Sequence, residues 1–170
     1  WDISKDNKDI HYTKEQLAER GITVTDATIT TKGKLIDYIL GKEITSTTGR
    51  VGGWALTGKN ADPDISMMAV QSLAPYYLDE QKFKNAYRTT LDTSTNTYFD
   101  VDSDSFKEKY TEFKKAVERA VYVMAEDQKP NGGFASFGTI NSESIVQVIV
   151  GLTALGIDPL SNSVHLPTID

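Results

Sequence analysis

Two stretches of this 170-residue chain repeat each other, and that repeat limits the possible folds more than any other feature. Residues 51–74 read VGGWALTGKNADPDISMMAVQSLA, and residues 131–156 read NGGFASFGTINSESIVQVIVGLTALG. Both open on Gly-Gly-aromatic-Ala, pass through a polar loop carrying acids or amides, and enter an apolar segment of helical length. Ser66 and Ser144 fall at matching points, 13 and 11 residues after Gly53 and Gly133. A recurring helix–turn–helix unit cannot bury its apolar face alone, so it stacks on its neighbours and builds an α-solenoid or toroid.

The punctuation between the copies agrees with an all-α chain. Thr13 before KEQLAER and Gly21 after it form an N-cap and C-cap pair. GITVTDATIT is β-branched and reads as a short strand or an extended linker. From about Thr31, Leu35, Ile36, Ile39 and Leu40 keep helical spacing up to Gly41. A loop rich in Thr, Ser and Gly follows. The next helix starts near Pro63, and Met67, Met68, Val70 and Leu73 place apolar groups on most of its sides, which predicts burial on more than one face. Pro75 is expected to end or kink it. LDEQKFKNAYRTTL is weakly amphipathic, and DTSTNTYFDVDSD is the most loop-like segment of the chain. A long helix from Ser105 to about Glu126 is marked by Phe106, Tyr110, Phe113, Val117, Ala120, Val121 and Met124 at steps of three and four. After QKPNGG, a helix from Ser142 to Leu155 is apolar nearly throughout and is expected to be enclosed. Amphipathic helices alternating with fully apolar ones predict two concentric layers, the outer wet on one side and the inner dry.

The composition narrows the function. Net charge is −6, with the acids spread along the chain. Lys114, Lys115 and Arg119 are interleaved with glutamates on one helix, so no basic face for nucleic acid forms. No apolar run reaches the roughly 18–20 residues that cross a bilayer, because Ile145–Leu155 is broken by Gln147 and Thr153. With no cysteine, disulfides, thiolate nucleophiles, thioesters and cysteine-ligated zinc are excluded. WDISKDNKD lacks the charged and apolar regions of a signal peptide, as a mature or excised fragment also would.

RAVYVMAEDQKPNGGF, residues 119–134, resembles the QW repeat of squalene and terpenoid cyclases. Arg119, Ala120, Met124, Gln128 and Gly132 fit its pattern, Phe134 stands for the tryptophan, and Val123 replaces an expected aromatic. The first copy is degenerate: GGW54 remains, but Thr48 occupies the glutamine position. Over about residues 30–160 the chain is similar to the prenyltransferase/squalene-oxidase-type repeat regions of exported surface proteins of Gram-positive bacteria. That resemblance implies an (α/α) toroid, shared with protein prenyltransferases and with the cobalamin carriers transcobalamin and intrinsic factor. A closed ring of six hairpins needs more chain than this, so a partial or open toroid over residues 1–170 is expected, with residues 1–30 unplaced. The resemblance further implies an extracellular or cell-surface location and further domains in the full-length protein.

The cyclases protonate alkenes with Asp-x-Asp-Asp, whose middle aspartate is the acid. Here Asp62-Pro63-Asp64-Ile65 lacks the last carboxylate, the group that would help hold the acid's proton. The same residues make a good helix start, with Asp62 as N-cap, Pro63 at the first position and Asp64 facing the dipole. The sibling copy places Asn141, Ser142 and Glu143 there, also good N-terminal residues. In toroids the inner-helix N-termini gather at the cavity mouth, where the dipoles favour anionic groups. Trp54, Asp62, Asp64, Phe134, Asn141 and Glu143 are therefore the candidate contacts for a small-molecule or surface ligand. Arg119, Gln128, Gly132 and Phe134 are the structural repeat residues, with Gln128 expected to cap neighbouring helix ends.

The other chemistries fit less well. Asp100, Asp102 and Asp104 have calcium-loop spacing, but Ser105 and Thr111 stand where Gly and Glu belong. His11 and His165, far apart and without a cysteine, do not make a prenyltransferase zinc site. The Asp-Asp-x-x-Asp pattern of terpene synthases is absent, and GGW and GGF are turns, not phosphate loops. The expectation is a non-catalytic repeat module without a cofactor, serving as a scaffold or holding a ligand in its concave face. The alternatives are a cyclase-like enzyme with Asp64 as general acid, and a cobalamin-carrier-like binding domain.

Overall fold

The computed structural model describes residues 14–23, 25, 30–45, 50–92, 94–161 and 166. Its fold is all-α, with six helices among the described residues: α1 (Lys14–Glu19), α2 (Lys32–Leu40), α3 (Pro63–Tyr77), α4 (Glu80–Tyr87), α5 (Asp104–Asp127) and α6 (Ser142–Ala154). Thr13, His11, His165, Thr48 and most of the β-branched stretch 24–29 lie outside the described residues.

Side-chain caps set where the helices begin. Thr31 accepts from the Lys34 N–H, Asp62 from Asp64 and Ile65, Asp79 from Gln81 and Lys82, Ser103 from Phe106, and Asn141 from Ser144. Each cap satisfies N–H groups with no partner inside the helix and is worth about 1 kcal/mol. Pro75 does not end α3. The helix runs two residues further, and the Leu78 N–H still reaches the Ala74 carbonyl at 3.0 Å. The ring removes only one backbone donor, and at an exposed position.

α3 packs most extensively on α6, then on α5 and α4. The α3–α6 approach is close because Gly151 has no side chain: a Cβ there would lie 2.5 Å from Met67 Cε and 3.1 Å from the Met67 carbonyl oxygen. Met67, Val70, Leu73, Ala74 and Val148 form the buried side of this pair. Beside it, α4 and α5 enclose an aromatic cluster. Phe83 lies 4.6 Å from Phe113 and 4.8 Å from Tyr87 between ring centroids, and Tyr87 meets Phe99 edge-on at 5.2 Å. Such pairs add about 0.5–1.5 kcal/mol beyond their area.

Polar ties cross the core. Tyr77 Oη donates to the buried Glu118 Oε1 at 2.7 Å, and Tyr110 Oη donates to the Tyr77 carbonyl at 3.1 Å. Burial, and then the Glu118 carboxylate, raise the Tyr77 phenol above its ordinary value. Tyr87, buried and donating to Asp37, is raised for the same kinds of reason.

Three features depart from the sequence reading. Met68 is 55% exposed, so α3 buries one broad side and leaves this flank to solvent. α6 is not enclosed: Val146 and Ile149 are 56% and 43% exposed, because no described helix covers that side. Finally, two small antiparallel hairpins occupy segments expected to be loop and turn. In the first, β1 (Leu91–Asp92) pairs with β2 (Thr97–Tyr98), with Leu91 opposite Tyr98; in the second, β3 (Ala135–Ser136) pairs with β4 (Thr139–Ile140), with Ala135 opposite Ile140. Asn96 and Phe137, at φ +55° and +49°, turn these strands, a conformation that asparagine tolerates better than phenylalanine.

Candidate functional site at the joined repeat turns

The two Gly-Gly-aromatic turns share a backbone frame. The Asp62 N–H donates to the Trp54 carbonyl at 2.9 Å, and the Asn141 N–H donates to the Phe134 carbonyl at 3.4 Å. In both copies, the N-cap of the following helix is thus bonded back to the aromatic residue. Gly52, at φ +117°, lies against Arg119; a Cβ there would be 2.8 Å from Arg119 Cβ. Arg119 makes a two-pronged contact with the nearly buried Glu43, Nε to Oε1 at 2.7 Å and Nη2 to Oε2 at 2.8 Å. That pairing raises the guanidinium above its ordinary value and fastens the segment after α2 to α5.

Where the turns meet, they enclose a cleft of about 480 Å³. Leu56, Thr57 and Asn60 come from the first copy, Asp62, Asp64 and Ile65 from the start of α3, and Ser136, Phe137 and Gly138 from the second copy. Asp62 is the joint. Its Oδ1 accepts from the Asp64 and Ile65 N–H groups at 3.0 and 3.1 Å, and its Oδ2 accepts from Ser136 Oγ of the other copy at 2.5 Å. Asp64 is half-buried beside it, and its Oδ1 is buried without a hydrogen-bond partner. Phe137 stands 86% exposed at the edge of the cleft.

The sequence candidates therefore separate. Asp62 and Asp64 line the cleft; Trp54, Phe134, Asn141 and Glu143 do not. Trp54 is a core residue, 3% exposed, whose indole N–H donates to the Ile39 carbonyl at 2.7 Å and so caps α2. Phe134 is 6% exposed and faces a groove of about 520 Å³ between α5 and α6, along with Met124, Ile145 and Leu152. Asn141 caps α6, and Glu143 is exposed, accepting from Ser142 Oγ at 3.2 Å. The cleft residues the sequence reading missed are Leu56, Thr57, Asn60, Ser136 and Phe137. Leu56, Thr57, Ser136 and Phe137 lie three or four residues past their Gly-Gly pair, a usable signal, since one turn frame brings equivalent loop residues to one rim; Asn60, seven residues past, falls outside that spacing.

The remaining candidates have local partners. Gln128 is the C-cap of its own helix, with Nε2 donating to the Gly132 carbonyl at 3.3 Å, so it closes the turn and caps no neighbouring helix. Gly132, at φ +81°, supplies the left-handed residue of that turn. Asp100 accepts from the Asp102 N–H, Asp102 pairs with Lys84 at 3.1 Å, and Asp104 pairs with Lys107 at 2.7 Å. These three carboxylates are engaged in different directions, and no group of three acids or histidines placed to hold a metal occurs among the described residues. No described helix is long and apolar enough to cross a membrane. Compared with known proteins, the chain matches no family model, no curated protein and no solved structure.

Proposed function

We propose that this chain is a non-catalytic helical-repeat module of an exported bacterial surface protein, an open arc of α/α-toroid hairpins that holds a small ligand where its repeat turns meet. The observation that carries the reading is the Ser136–Asp62 hydrogen bond. It joins one copy's turn to the other copy's helix cap, so both oxygens of Asp62 serve structure. The cleft beside that joint falls within the volume range of small-ligand sites. The surface location and the toroid rest on the resemblance to Gram-positive surface-protein repeats, carried by Arg119, Gln128, Gly132 and the two Gly-Gly-aromatic turns.

The cyclase-like alternative makes Asp64 a general acid. Alkene protonation calls for a carboxylic acid inside an apolar cavity lined by aromatic rings, which raises its pKa and stabilises the cation formed. The lining beside Asp64 is mixed instead: Leu56 and Ile65 with Thr57, Asn60 and a single, exposed phenylalanine. The cobalamin-carrier alternative takes the same cleft as one wall of a larger site closed by another domain.

A thermal-shift screen with corrinoids and isoprenoid diphosphates tests the proposal. A ligand present at 100 times its Kd stabilises by about 2.7 kcal/mol. The expected result is a shift with one class that Phe137→Ala removes, with no turnover of squalene or polyprenyl diphosphates. Turnover that Asp64→Asn abolishes would establish the cyclase reading in its place, and no shift with either class removes the ligand from the proposal.

A further inference from the structure

A second cleft, of about 370 Å³, lies under the β1–β2 hairpin, with the start of α5 as its floor. The hairpin contributes Asp92, Thr95, Thr97 and Tyr98; the connection to α5 and the helix itself contribute Phe99, Asp100, Ser105 and Lys109. It is separate from the cleft at the repeat turns and shares no residue with it.

We infer that this hairpin cleft binds a neutral carbohydrate through Tyr98, Asp100 and the hydroxyls around them. The polar groups on its walls are of both kinds. Thr95 and Thr97 share one hydrogen bond at 2.8 Å, so the pair keeps one hydroxyl hydrogen to donate. Ser103 Oγ gives its hydrogen to the Asp100 carbonyl at 2.7 Å, so Ser105 donates in the Ser103–Ser105 contact and presents its lone pairs. One Asp100 oxygen accepts the Asp102 N–H at 3.2 Å, and a carboxylate has about four acceptor positions, so acceptors remain. Lys109 is held in place by Asp37, at 2.6 Å, and by the Tyr87 and Phe99 rings, 4.9 and 5.3 Å from its ammonium. Tyr98 is 52% exposed at the cleft, and Phe99 is half-buried.

Other ligand chemistries fit worse. An anion meets two carboxylates, Asp92 and Asp100, in the lining of the cleft. A metal ion meets the Lys109 ammonium, and Asp92 already accepts from both the N–H and the hydroxyl of Ser94. A purely apolar ligand strips water from the acids and hydroxyls without replacing its hydrogen bonds. A sugar offers a donor and an acceptor at each hydroxyl and an apolar C–H face for an aromatic ring, which matches this lining.

The test is two-dimensional NMR titration of the intact chain with neutral hexoses, N-acetylhexosamines and their disaccharides. At least one sugar is expected to move the resonances of residues 92–109 with a Kd of about 1 mM or tighter. Tyr98→Ala and Asp100→Asn, both at exposed positions, are each expected to weaken binding at least about tenfold, or about 1.4 kcal/mol, with an unchanged urea midpoint. Asp64→Asn and Phe137→Ala should leave it untouched, which separates this site from the cleft at the repeat turns. Absence of binding by every sugar, binding that survives both substitutions, or resonance shifts with calcium but with no sugar overturns the inference.

Discussion

In the first repeat copy, Ser66 Oγ accepts from the Trp54 N–H at 2.8 Å and donates to the Trp54 carbonyl at 2.9 Å; in the second, Ser144 is equally buried but its Oγ has no partner. The serines fall at similar points in the two copies, 13 and 11 residues past their glycines, yet they occupy different helix positions. Ser66 is four residues past its cap (66 − 62), and Ser144 is three past its own (144 − 141). One residue rotates a side chain about 100° around the helix, enough to turn the hydroxyl away from the aromatic's backbone. The second turn is closed by other bonds: the β3–β4 hairpin, and Lys129 N–H to the Gly133 carbonyl at 2.9 Å. What the copies share is therefore the backbone frame, with the aromatic bonded to the next helix cap. The side-chain clasp belongs to one copy alone.

The aromatic residues give the largest test of that asymmetry. Trp54→Ala removes a buried ring and the donor to the Ile39 carbonyl, and should cost about 3–5 kcal/mol in urea unfolding. Phe134 borders an open groove, so Phe134→Ala should fall at or below the lower end of that range. Trp54→Phe sharpens the contrast by keeping a ring while leaving the Ile39 carbonyl without its donor, for about 1–3 kcal/mol. Equal costs at the two alanine substitutions would mean that the turns are energetically interchangeable and the comparison fails.

The serines come next. Ser66→Ala strands the buried Trp54 N–H and should cost about 1–3 kcal/mol, whereas Ser144→Ala deletes a hydroxyl with no partner and should be neutral or stabilising by up to about 1 kcal/mol. Matching losses at both positions in chemical denaturation would show that Ser144 has a role in the second copy that its surroundings do not reveal.

The capping pattern, the helix order and the repeat were legible because they depend on local chemistry: Asp62 before Pro63, Asn141 three residues before Ser144, and apolar steps of three and four along α5. What could not be read depends on which side of a helix finds a partner. Val146 and Met67 are both apolar residues in apolar helices, yet Met67 meets Gly151 across the α3–α6 contact and Val146 meets solvent. The hairpin at 91–98 was hidden because its strands are two residues long, too short for an alternating pattern to register. The candidate site was half legible. Asp62 and Asp64 carry a recognisable signature, but Ser136 and Phe137 join them only through the pairing of the two turns.

That pairing has its own measurement. A double-mutant cycle on Asp62→Ala and Ser136→Ala should give a coupling of about 0.5–1.5 kcal/mol, the usual range for one hydrogen bond, here a part-buried one. The same cycle at Asn141 with Leu56, where no bond crosses, should give a value near zero. A null result at Asp62 and Ser136 would make the copies neighbours without being joined.

The smallest effect expected lies at the far ends of α3 and α6. α3 ends on Tyr77, tied to Glu118 of α5, while α6 ends at Ala154 and Leu155 with no tyrosine. Folded Tyr77 keeps its proton more tightly than an unfolded tyrosine, whose pKa is about 10. Below that pH both states are protonated and the contribution is complete. As pH rises through and beyond about 10, the unfolded chain gives up a proton that the folded chain keeps, so the unfolded state binds fewer protons and stability falls. Tyr87 adds a slope of the same sign. Tyr77→Phe should therefore flatten, without abolishing, the loss of urea midpoint between about pH 9 and 11. An unchanged slope would mean that the tyrosine–glutamate tie does not distinguish the end of the first repeat from that of the second.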